Sequence, residues 1–298
     1  MSIEIDWSPT TETLHALHAE RTGYRDDWPV PQLDGSIVDD DERHRAREQW
    51  SDRIRATHLS LGRATELFRR LVALGAPVDI LGGFGYICDE LTHHLSTLTF
   101  LATPFETRQS IPAASDRRSP VTDRPLSWNH VFEETLELFA FDLALSDALY
   151  EAIGAISSDD AVEQLAFGLS WSTGELVGFG DEVLQWMVDT VDDATLDVDR
   201  LAAILGDYEA FCGGSPQLLD SIAGDELTIE ARSGNLGTLD DQQIAVIFYD
   251  TLGDTILPLF ERLDLDGHRA WRAHHQQTSP DRDRRPVVAA IGLPASSP

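Results

Sequence analysis

The sequence predicts an all-α protein: a four-helix bundle with one long crossover, followed by a C-terminal helical extension. Apolar residues recur at three- and four-residue intervals through several long stretches. Short Gly, Pro or Ser-Asp breaks separate most of these stretches, and one proline-bearing connection much longer than the others divides the first four into two pairs.

Residues 1–42, with Pro9, Pro29, Pro31 and the acidic run Asp39-Asp40-Asp41-Glu42, read as an irregular lead-in that ends at a helix start. From Arg43 to Leu74 the apolar positions Trp50, Ile54, Leu61, Ala64, Leu67, Phe68, Leu71 and Val72 keep a helical period, and Gly75-Ala76-Pro77 stops it. A second helix runs from Val78 to Ala102. Gly82, Gly83 and Gly85 would let another helix approach there, at about 1 kcal/mol each relative to alanine. Residues 104–127 form the crossover. The third helix covers Trp128 to Ile153, and Ser157-Ser158-Asp159-Asp160 supplies the cap for a fourth, Ala161 to Val191. The bundle thus spans 43–191, with hairpins 43–102 and 128–191. The extension, 192–277, holds a helix at Asp199–Phe211, a short strand at Glu226–Ala231 and a turn at Gly234–Gly237. After these come a capped helix from Thr238–Asp241 to Arg262, kinked at Pro258, and a short helix at His268–His275. Residues 278–298 read as a disordered Pro- and Ser-rich tail.

A chain of 298 residues that is 42% hydrophobic can bury a large core. Its 52 acidic residues face 22 basic ones, every one of them arginine, for a net charge of -30. Such a surface repels phosphate backbones and anionic lipid, so nucleic acid and membrane surfaces are not expected partners, while cations are attracted. A salt-adapted or GC-rich source accounts for the acidity better than a functional acidic face does. A homo-oligomer or a partner protein stays open. Cys88 and Cys212 are too few for a disulfide framework, and no leader or membrane-length apolar run is visible, which points to the cytoplasm. A phosphate loop would need the lysine this chain lacks, and Gly82-Gly-Phe-Gly85 has neither the strand nor the spacing of a dinucleotide site. Cys88 on an apolar helix reads as inert core.

The stretch Ile87-Cys-Asp-Glu-Leu-Thr-His-His-Leu-Ser96 carries the most chemistry. In a helix Glu90 and His93 lie one turn apart on one face, where they could ligate one ion or form a hydrogen-bonded pair spanning helices. Glu90-Leu-Thr-His93 resembles the first Glu-x-x-His of the ferritin-like di-iron carboxylate superfamily, over roughly residues 43–190. The stretch Val246–Pro258 with Gly267–Trp271 also looks like the ends of uncharacterised bacterial ferritin-like proteins.

The resemblance implies inward carboxylates and imidazoles from four helices, holding non-haem iron or manganese for redox or oxygen chemistry. Where the family has its first-helix Glu, the window Arg53–Ser60 offers His58 instead. Glu66 lies 24 residues before Glu90 and would sit within one turn of its level across the hairpin. The implied ligand set is therefore Glu90, His93, His58 and Glu66, with His94 a supporting or exposed neighbour.

The second Glu-x-x-His is missing, because no histidine lies between His130 and His268. Trp171 and Gly174 take the corresponding places, with Glu175, Asp181, Glu182, Glu133, Glu134 and Glu137 as substitute carboxylates. Asp142 interrupts an apolar run and needs a partner, an arginine for instance. His268, His274 and His275 near the end would bind metal adventitiously. Two functional readings follow: a partial or modified metal site doing iron-dependent redox chemistry, or a non-catalytic binding or assembly module on a degenerate bundle.

Overall fold

The computed structural model describes residues 40–105, 126–192, 194–212 and 234–278, and among these the secondary structure is entirely helical. The lead-in before residue 40, most of the crossover, the strand expected at Glu226–Ala231 and the tail lie outside the described residues. The helices are α1 (Asp40–Leu74), α2 (Val78–Ala102), α3 (Trp128–Leu136), α4 (Ala144–Ile156), α5 (Asp160–Thr190), α6 (Val198–Cys212), α7 (Asp241–Thr251), α8 (Leu257–Arg262) and α9 (Gly267–Thr278). A π-helical turn, Glu137–Leu143, joins α3 to α4, and a second, Leu252–Ile256, joins α7 to α8. No helix among the described residues is long and apolar enough to cross a membrane.

The chain divides into two compact units. One comprises Met1–Ser127, Ile153–Ser172 and Glu230–Thr238; the other comprises Trp128–Ala152, Thr173–Ile229 and Leu239–Pro298. Helices α4 and α5 contribute residues to both.

In the first unit α1 and α2 pack as a hairpin. Asp40, Asp41 and Glu42 fall in the first turn of α1, where carboxylates oppose the positive end of the helix dipole, so the helix begins earlier than its apolar period does. It ends at Gly75, whose φ of 74° is open to glycine. The Ala76 N–H reaches Leu71 O and the Gly75 N–H reaches Val72 O, satisfying the last carbonyls of α1. Asp159 caps α5 by accepting from the Ala161 and Val162 N–H groups at 3.0 and 3.1 Å.

Residues 234–238 are inserted into this unit as irregular backbone, held by a set of hydrogen bonds. Asn235 Oδ1 accepts from the Gly237 and Thr238 N–H groups. Glu42 Oε1 accepts from the Leu236 N–H and the Thr238 hydroxyl, each at 2.8 Å. Trp50, fully buried, donates to Leu236 O at 3.1 Å. Gly237 has φ of 79°, and a Cβ there would lie 2.8 to 3.1 Å from Ile153, Val162 and Trp50. The sequence marked this segment as a turn; the structure makes it part of the core.

In the second unit α9 packs along α6, and Phe141 of the first π turn stacks on Tyr208 of α6 at 4.3 Å between ring centroids. Asp142, in the same turn, accepts from the Tyr208 hydroxyl at 2.6 Å, so a tyrosine supplies the partner that the apolar run required. The second π turn precedes Pro258. Proline has no N–H, and here that missing donor falls in the first turn of α8, where the π turn has already interrupted the hydrogen-bond ladder.

Candidate metal centre

On α2 the structure brings Glu90 and His93 together, with Oε1 to Nδ1 at 3.6 Å. The buried imidazole of this helix is nevertheless His94: its side chain is 4% exposed against 33% for His93. His94 Nε2 lies 2.9 Å from Ser172 Oγ on α5, and Ser172 Oγ donates to Glu90 Oε1 at 2.5 Å. Because the hydroxyl hydrogen goes to the carboxylate, His94 is the donor to Ser172. Burial lowers the His94 pKa to about 4, against the attraction of Glu90. Hydrogen bonding to His93 and Ser172, with the nearby imidazoles, brings Glu90 down to about 2 despite its burial.

This arrangement predicts a pH dependence. The unfolded chain protonates His94 below about 6.5, whereas the folded chain resists protonation until about 4. The unfolded state therefore binds more protons across that window, and stability is lost as pH falls through it, with a slope approaching ~1.4 kcal/mol per pH unit from this group. Urea midpoints measured from pH 7 to 4 should show a flatter slope in His94→Gln than in the wild type. Parallel slopes would refute the assignment.

The other expected ligands are placed differently. Glu66 accepts from Arg69 through both oxygens, at 2.6 and 2.8 Å, and from buried Arg70 at 2.8 Å. Chiefly the Arg69 hydrogen bonds, working against burial, lower its pKa to about 2. Two guanidinium groups occupy the lone pairs that a cation would need. His58 is half-buried on α1. Trp171 is 71% exposed, so it fills no ligand place; Ser172 and Thr173 turn inward instead. Glu175 and Glu182 are exposed, and Asp181 pairs with Arg262 at 2.6 Å. Glu133 is buried and paired with Arg200.

Among the described residues, three donors converge elsewhere: Glu209 on α6 with His274 and His275 on α9, their ligand atoms all within 4.8 Å of one another. Adjacent residues on a helix point about 100° apart, and both imidazoles reach one carboxylate because it lies between them. Oε2 accepts from His274 Nε2 at 2.6 Å, while Oε1 lies 3.4 Å from His275 Nε2. An ion with ligand bonds of about 2.0–2.2 Å places its donors roughly 3–3.5 Å apart, so the pocket needs only side-chain adjustment to fit one.

Its surroundings are built to hold these donors. Tyr249 on α7 donates to Glu209 Oε1 at 2.9 Å. Burial raises the Glu209 pKa, but the His274 hydrogen bond, the His275 charge and the Tyr249 hydrogen bond outweigh it, so the carboxyl lies below its ordinary range and is ready to ligate. Burial and the neighbouring carboxylate push the Tyr249 phenol up. Trp271, one turn before the histidines, contacts both rings, with centroids 4.4 Å from His275 and 5.9 Å from His274. Gly206, one turn before Glu209, leaves room for His274. A Cβ there would lie 2.6 Å from its Nδ1, closer than real contacts allow.

The sequence offered the tandem histidines but not their partner, which is 65 residues from His274. One weak signal was available: a carboxylate and a glycine one turn apart on the same face of α6. No family model, curated protein or solved structure matches this chain.

Proposed function

We propose that this chain is a non-haem metal protein on a ferritin-like four-helix bundle, binding one first-row divalent ion, iron or manganese, through Glu209, His274 and His275. The observation that carries the reading is the convergence of two imidazoles and one carboxylate within 4.8 Å. That donor set, with positions left for water or substrate, is the arrangement suited to redox chemistry at ferrous iron. The net charge of -30 favours cation capture at any such site. Glu90 and His93 supply two donors, and Glu66 is engaged by two arginines, which supports placing the ion in the C-terminal unit rather than on α2.

The same engagement of Glu66 supports a second reading, in which the bundle is a binding or assembly module whose ligand set has degenerated. Elemental analysis separates the two. Protein grown with iron and manganese and purified without a histidine tag should carry close to one ion per chain. That content should fall at least tenfold in Glu209→Ala and in His274→Ala, and be unchanged in Glu66→Ala. A metal-free wild type that also fails to take up either ion in titration would leave the assembly reading.

A further inference from the structure

We propose that the ion acts as a clasp, so that docking of the last described helix, α9, onto α6 depends on metal. This rests on the metal reading above and adds a consequence for the fold. Helix α9 has 12 residues, a length at which an isolated helix is marginal in water. Its apolar anchors are confined to its first half, where Ala270 and Trp271 are buried and Gly267 packs against Phe260 and Leu257. In its second half His274 and His275 both meet Glu209 of α6, and the His274 ring lies over Gly206. Without an ion, this half is held by imidazole–carboxylate contacts that cost the desolvation of Glu209. With an ion, the same three side chains become ligands of one centre that joins α6 to α9.

Gly206 makes the clasp close. His274 must pass over α6 at the height of residue 206, and any side chain there displaces the ring from Glu209. The substitution Gly206→Ala should therefore weaken metal binding and helix docking together, while the wild type without metal shows only the loosened helix.

Hydrogen–deuterium exchange on the full chain, with manganese(II) or zinc(II) chloride as the probe, tests this. If α9 undocks only after releasing the ion, free metal at 100 times its dissociation constant should slow exchange in peptides covering 267–278 by about a hundredfold. Peptides from 40–102 should not change, and Glu209→Gln should abolish the protection. Stoichiometric binding in calorimetry with no slowing in 267–278 would overturn the clasp and leave the site standing. No binding heat at all would remove both.

Discussion

Replacing Trp50 with alanine is expected to cost about 3–5 kcal/mol, the range for deleting a buried aromatic side chain. The site has little freedom to collapse. Trp50 is fully buried, its indole N–H is committed to Leu236 O, and the Arg53 guanidinium lies 4.4 Å above its ring while donating to Gly237 O at 2.9 Å. Truncation leaves a cavity, orphans the Leu236 carbonyl and removes the cation–π contact. Trp50→Phe keeps most of the volume and should lose less than half as much. Urea titration followed by circular dichroism provides the measurement, and a loss below about 1 kcal/mol for the alanine variant would mean that this packing is not what holds residues 234–238.

Arg200→Ala is expected to cost about 2 kcal/mol. Its guanidinium pairs with Glu133, whose side chain is 6% exposed, and lies 3.9 Å from Glu137. Removing one partner of a buried pair typically costs about 3–5 kcal/mol because the other charge stays behind. Arg200 is 38% exposed, so water reaches part of the site and the figure is reduced. Adding Glu133→Gln to Arg200→Ala removes the stranded charge and should recover part of the loss. A double variant less stable than Arg200→Ala would contradict this account.

Helix identity was legible because it depends on local pattern. The breaks at Gly75-Ala76-Pro77 and Ser157–Asp160 and the starts at Val78 and Trp128 needed only nearest neighbours along the chain, and the helices begin and end there. The π turns were not legible. Glu137–Leu143 and Leu252–Ile256 keep an apolar face that reads equally well at 3.6 residues per turn, and only packing, such as Tyr208 on Phe141 and Asp142, reveals the wider turn.

Which histidine of α2 turns inward was not legible in the sequence. His93 and His94 are both compatible with the pattern, and the choice falls to Ser172, on another helix and 78 residues from His94. The convergence of Glu209 with His274 and His275 needs the packing of α6 against α9, which no local period encodes.

Residues 234–238 also have a consequence in time. Glu42, Trp50 and Arg53 take partners from a segment 184 to 194 residues later, so the first helical hairpin cannot acquire its complete interior while it is being synthesised. Until Thr238 has left the ribosome, Glu42 has Arg45 but not the Leu236 N–H, and the Trp50 indole N–H lacks the Leu236 carbonyl. Native contacts of such sequence separation slow folding, since the loop must close before they repay its entropy. Completion of the first unit is therefore late, and nascent chains that stall before residue 238 should be the ones that quality control removes.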